Sequence, residues 1–180
     1  MDGVRAYWNL SVLMSRYGNK IPCPHWFIRD LPKDITLDGE LWMGHGTTHD
    51  DVVAVVYSKC GDWSQMGYCV FDIPSIQGTY EDRMKAMDNA KSTLPSSVHM
   101  VENIMCRGEQ HLFEYLDVVI AHKGEGLVLR KPHSHYHIGH TPSILKVKVF
   151  SHQNISFNQK YDDTEVRVIA AVDKGVYCKQ

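Results

Sequence analysis

The sequence has no C-x-x-C pair: its five cysteines, Cys23, Cys60, Cys69, Cys106 and Cys178, are scattered and odd in number. That argues against a cysteine zinc site or a disulfide framework and leaves reduced thiols as the expectation. No apolar run approaches the roughly 18–20 residues of a membrane helix, and no charged start followed by an apolar stretch marks a signal peptide. No membrane association is expected, and the chain reads as soluble and intracellular, with nothing to separate nucleus, organelle and bacterial cytoplasm. An excess of either charge is lacking too: 19 Lys and Arg face 21 Asp and Glu, a net charge of −2. This excludes a basic-tail binder held by global charge, though not a local basic groove. No G-x-G-x-x-G follows a strand and no Walker loop occurs, so the common phosphate-cradle folds lack support. Repeats and low-complexity tracts are absent, which removes solenoids and linker-rich arrays.

What is present is a chain of 180 residues, 43% apolar, long enough for one domain or slightly more with a sizeable core. Val4 to Trp8 and Ser11 to Ser15 read as a strand pair, and Ile35 to Met43 and Gly67 to Ile73 as further strands. Asp51 to Tyr57 is short and apolar, so periodicity does not choose between strand and helix. Thr79 with Asp82 predicts a helix running to about Lys91. Leu112, Leu116, Val119 and Ile120 predict a second helix with one apolar face, stopped at Lys123-Gly124. Leu127 to Arg130, Ile144 to Phe150 and Thr164 to Val172 read as strands, the last with a turn at Lys174-Gly175. The fold class is α+β, with mixed and antiparallel sheets flanked by helices.

Polar chemistry is set into these strands at five places: Asp2-Gly3-Val4-Arg5, Leu37-Asp38-Gly39-Glu40-Leu41, Val70-Phe71-Asp72-Ile73-Pro74, Glu125-Gly126-Leu127-Val128-Leu129-Arg130-Lys131, and Leu145-Lys146-Val147-Lys148. Each alone is weak, since D-G pairs commonly mark turns and K-x-K a solvated face. Phe71 could instead be core, and Arg130 with Lys131 a solvated strand end. Lys146 and Lys148 share one face of a strand, opposite Leu145 and Val147. Between Lys123 and Phe150 stand five Lys or Arg, four His and one Glu, the most cationic stretch of the chain. His133, His135 and His137 could converge on a metal if they lay on one strand, or could simply line a polar hairpin.

In this order the motifs resemble the covalent nucleotidyltransferases, and most closely the small ATP-dependent DNA ligases. There K-x-D-G-x-R is followed by S-R-x-G, D-G-E-L, F-D-x-P, E-G-[LVM]-x-x-[RK] and K-x-K; Ser15-Arg16-Tyr17-Gly18 fills the second slot. The resemblance implies an ATP-grasp-like nucleotidyltransferase domain over residues 1–151, with 152–180 the truncated start of an OB-fold β-barrel. It implies ATP and Mg²⁺ as cofactors, nicked double-stranded DNA and ATP or AMP as partners, and a monomer. By position, Arg5 resembles the ribose and phosphate contact, Glu40 the carboxylate that accepts ribose hydroxyls, and Phe71 the ring stacked on adenine. Arg16 resembles the arginine that meets the 5′-phosphate at a nick. Lys146 and Lys148 would face the phosphates as catalytic cations, with Glu125 as a catalytic and metal-linked carboxylate and Asp38 as a second metal carboxylate.

Three departures accompany the match, one being that the family's last motif, on the OB-fold, is expected beyond the end of the chain as written. The family's nucleophilic lysine lies two residues before Asp2, ahead of Met1, so the chain as written is not expected to form its own adenylate. The family's Y-x-x-G-R ends here in histidine, as Tyr136-His137-Ile138-Gly139-His140, and a mostly neutral imidazole weakens a permanent phosphate contact. Alternatives are a non-catalytic nucleotide- or nick-binding module, and an RNA ligase or mRNA capping guanylyltransferase.

Overall fold

The computed structural model describes residues 1–149 and the backbone of 155–157 and 167–169. The described residues fall into two units, residues 1–77 with 82–100, and residues 78–81 with 101–149, 155–157 and 167–169. Among the described residues no helix is long and apolar enough to cross a membrane.

The first unit is built on a five-stranded sheet. β1 (Val4–Trp8) turns back into β2 (Leu13–Ser15), and β3 (Leu37–Trp42) and β4 (Gly67–Asp72) follow in the order β2-β1-β3-β4-β5. All neighbours are antiparallel except β4 and β5 (Val98–Met100), a parallel pair that the sequence pattern did not reveal. Alternation explains the sheet: Val4, Ala6 and Trp8 are buried while Arg5 and Tyr7 between them are not. Leu37 and Leu41 on β3 and Tyr68 and Val70 on β4 extend that core, all fully buried. Tyr68 is wholly inside because its hydroxyl lies 3.0 and 2.9 Å from the carbonyls of Ala6 and Leu37, which removes the cost of an unpaired phenol.

The ambiguous segment is α2 (His49–Tyr57), and a capping box decides it. The Thr48 hydroxyl accepts from the Asp51 amide, and the Asp51 carboxylate accepts from the Thr48 amide at 2.8 Å. A short helix α1 (His25–Ile28) brings Phe27 into the core against Trp63, with ring centroids 5.0 Å apart. Helix α3 (Tyr80–Ala90) matches the expected range.

In the second unit β6 (Ile104–Met105) precedes α4 (Glu109–Ala121), β7 (Gly126–Arg130) and β8 (Ile144–Val149). Leu112, Leu116 and Val119 pack with Leu127, Leu129, Leu145 and Val147 in one buried cluster. Each such side chain contributes on the order of 1.5–3 kcal/mol. Ile120, expected on the same face, is 39% exposed, because it lies about 80° around the helix from Leu112 at 3.6 residues per turn. Beyond β8, β9 (Ile155–Phe157) pairs with β8, and β10 (Arg167–Ile169) lies between β6 and β7. The other residues of 152–180, including the turn expected at Lys174-Gly175, lie outside the described residues.

Candidate active site

On β1 and β3 the register places Arg5 opposite Glu40 and Tyr7 opposite Asp38, so these four side chains share the face away from the core. Arg5 binds Asp38 in fork geometry, Nε to Oδ1 at 3.1 Å and Nη2 to Oδ2 at 2.6 Å. Asp38 is 1% exposed on its side chain and Arg5 is 49% exposed, so a buried carboxylate aims a half-open guanidinium.

Phe71 joins them through a break in the β4 register. Gly39 pairs with Val70 but Asp38 pairs with Asp72, which leaves Phe71 as the extra residue of a β-bulge. Phe71 is the one β4 residue that is not buried. Its ring lies beneath the Arg5 guanidinium, 5.6 Å from centroid to Cζ. That arrangement answers the alternative of a core phenylalanine. Gly39 is required where β3 meets the bulged strand, since a Cβ there would come within 2.5 Å of the Cys69 carbonyl oxygen.

The residue after Phe71 has a structural duty that the sequence left unseen. Asp72 and Arg83 of α3 are both fully buried, with Nε to Oδ1 at 2.6 Å and Nη2 to Oδ2 at 3.3 Å. Asp72 also accepts the Ile73 amide at 2.9 Å. This pair pins the end of β4, and with it the bulge.

At the start of β1, Glu40 accepts the Gly3 amide at 2.8 Å. The Asp2 carboxylate accepts the first amide of α2, from His49, at 3.0 Å. The His49 ring donates from Nδ1 to the Gly3 carbonyl at 2.8 Å. The Asp2-Gly3 segment is thus held from both sides, and His49 is a positioning residue that sequence reasoning missed. Arg16 stands exposed in the turn after β2, which closes with Gly18 amide to Ser15 carbonyl at 2.9 Å.

The second unit carries the remaining expected residues. Lys146 is exposed opposite Val128, and Lys148 lies opposite Gly126 on the same face of β8. Lys148 Nζ is 2.8 Å from Glu125 Oε2, an ion pair with both partners roughly half exposed. Gly126 is required by contact as well as by its φ of +150°, because a Cβ would strike the Val147 carbonyl oxygen. Arg130 is not the solvated strand end considered from sequence. It is 5% exposed, its guanidinium 4.7 Å over the Tyr80 ring, while Lys131 is exposed. His133, His135 and His137 lie in an irregular loop rather than on a strand, and His133 pairs with Glu81 at 3.5 Å. Among the described residues no three His, Cys, Asp or Glu side chains gather as a metal site.

The ATP dependent DNA ligase domain family matches residues 14–148. A DNA ligase of Haemophilus influenzae is 31% identical over 150 residues, covering 82% of this chain and 55% of that protein. The chain belongs to the ATP-dependent DNA ligase family. Among solved structures, one from work on DNA binding by Lig E DNA ligases superimposes with a TM-score of 0.76 at 32% identity, over 84% of this chain and 60% of that one. A Chlorella virus DNA ligase–adenylate gives a TM-score of 0.70 at 23% identity, over 82% of this chain and 58% of that one, a likeness of fold. This member of the ligase family therefore spans just over half the length of the Haemophilus influenzae ligase. Its fold is that of the adenylation domain, as the α+β reading expected.

Proposed function

We propose that this chain supplies the nucleotide- and nick-binding surface of an ATP-dependent DNA ligase that seals breaks in duplex DNA. The observation that carries the reading is the grouping of Arg5, Asp38, Glu40 and bulged Phe71 on one face of the first sheet. A half-buried ring beside a guanidinium and a carboxylate suits a nucleoside phosphate. The base would stack on Phe71, the ribose hydroxyls would donate to Glu40, and Arg5 would meet the ribose and phosphate. Lys146 and Lys148 would neutralise charge that grows on phosphate oxygens in the transition state. Arg16, free to reach outward, would take the 5′-phosphate at the nick.

In the reaction the resemblance implies, a lysine amine ahead of Asp2 forms a bond to the α-phosphorus as the bond to pyrophosphate breaks. AMP then passes to the 5′-phosphate, and the 3′-hydroxyl displaces it. The amine must lose its proton first, which neighbouring cations favour. Asp38 fits a metal role poorly, since its carboxylate is 1% exposed and held in a fork by Arg5. Glu125 does fit: it is half exposed and bonds Lys148 through Oε2 alone, and Mg²⁺ takes one or two carboxylates together with substrate phosphates. When bound, the ion would supply charge neutralisation at the phosphates.

The test compares Phe71→Ala with Phe27→Ala by calorimetric titration of ATP. Loss of the stacking platform costs about 1–3 kcal/mol of binding, roughly 5- to 150-fold. Phe27, 2% exposed in the core, should lower stability and leave ATP affinity unchanged in the folded fraction. Equal affinity losses would remove Phe71 from the site. With α-labelled ATP the chain as written should take up no label, whereas the same chain with Lys preceding Met1 should take up some. Stable labelling without that lysine would overturn the nucleophile assignment.

A further inference from the structure

The first unit carries an open groove of about 620 Å³. Lys20, Pro22 and Cys23 form one part of it, Lys59 and Gly61 another, and the buried Trp63 completes it. No Asp or Glu lines it, and neither lysine has a described acidic partner. Lys20 ends the loop that presents Arg16, because it bridges back to Met14 on β2. Lys59 comes from the exposed segment that leaves α2. Burial pushes the Cys23 thiol up, and the Lys20 charge pulls it partly back, so that ammonium stands close to the groove. Trp26 and Tyr57, each 51% exposed, lie two and one residues from groove-lining Pro24 and Ser58. Two cations with no described acidic partner, set over an apolar base of Pro22, Pro24 and Trp63, match the alternating charge and sugar faces of a nucleic-acid backbone.

We propose that this groove is a phosphodiester-binding track that holds the DNA strand continuing past the phosphate taken by Arg16. The proposal rests on the nick-binding reading of Arg16. It assigns Lys20 and Lys59 to affinity and register on the duplex, with no part in nucleotide binding. Each lysine that neutralises a phosphate adds about 0.9 to the slope of log K against log salt. Carried from 1 M to 0.15 M salt, that slope corresponds to about fivefold in affinity per lysine, and about thirtyfold for both.

The experiment is fluorescence anisotropy of the full chain on a labelled nicked duplex across a salt series. Lys20→Ala and Lys59→Ala should each lower the slope by about 0.9, and the pair by about 1.8. Lys-to-Arg replacements at both sites should restore it, and Lys91→Ala should leave it unchanged. ATP affinity should be unaltered throughout, which also reports that the variants are folded. An unchanged slope in the lysine variants, alongside a loss in Arg16→Ala, would overturn the groove while leaving the nick reading intact. Absence of duplex binding by the unmodified chain would defeat both. If the variants lose a polyglutamate ligand and keep their DNA affinity, the groove serves an acidic protein and the proposal fails.

Discussion

Arg83→Met tests whether the Asp72–Arg83 pair holds the nucleotide face in place. Both groups are fully buried, joined at 2.6 and 3.3 Å. Removing the guanidinium leaves a carboxylate inside the protein that still accepts the Ile73 amide but has lost its counter-charge. Breaking a buried pair from one side typically costs about 3–5 kcal/mol, because the remaining charge has lost its counter-charge but cannot regain water. At a urea dependence of about 2 kcal/mol per molar, the midpoint should fall by roughly 1.5–2.5 M. The double replacement Asp72→Leu with Arg83→Met removes both charges, and such exchanges are often neutral or stabilising. The two single variants, Arg83→Met and Asp72→Leu, should therefore be strongly non-additive in a double-mutant cycle followed by urea unfolding. ATP affinity in folded Arg83→Met should also drop, since the bulge at Phe71 adjoins Asp72. A single-variant loss under about 1 kcal/mol would refute the burial argument, because only exposed pairs contribute so little.

Three further outcomes follow from the helix end and the sheet edge. At the end of α4 the Lys123 amide donates to Ile120 and the Gly124 amide to Val119, both at 2.8 Å, a Schellman arrangement in which Lys123 takes a φ of 63°. Lys123→Gly should raise the urea midpoint by up to about 1 kcal/mol equivalent, while Gly124→Ala should lower it, since a Cβ there meets Val119 Cγ1 at 2.5 Å. Burial on β5 holds the His99 imidazole below its ordinary value of 6.5. Above that pH it is neutral whether the chain is folded or not. As pH falls below it, the unfolded chain takes up a proton that the folded chain resists, so stability declines. His99→Gln should show a shallower decline in urea midpoint between pH 7 and about 5; an identical slope would show that His99 protonates freely in the fold.

Strands with strict alternation were readable from sequence, as with Val4–Trp8, whose bounds agree residue for residue. Their register was not, and the bulge that lifts Phe71 out of phase with β3 is a property of the pair rather than of either strand. Helix α2 could have been read from Thr48 and Asp51, three residues apart in the capping-box pattern, had those side chains been weighed over periodicity. Val98–Met100 escaped because a three-residue parallel strand has too short a pattern to register. The candidate residues themselves were legible through ordered motifs. Their partners were not: Asp38 with Arg5 is 33 residues apart and Asp72 with Arg83 eleven, and only the folded chain brings them together.

The Arg5–Asp38 fork has a thermodynamic corollary. An arginine side chain ordinarily forfeits about 0.5–1.5 kcal/mol of rotational freedom when a ligand immobilises it. Here that freedom is surrendered during folding, before any nucleotide arrives, with the guanidinium already locked by two bonds. For the phosphate contact proposed for Arg5, encounter then carries a smaller entropic penalty at this position, and Asp38→Ala should return it as a more unfavourable entropy of association.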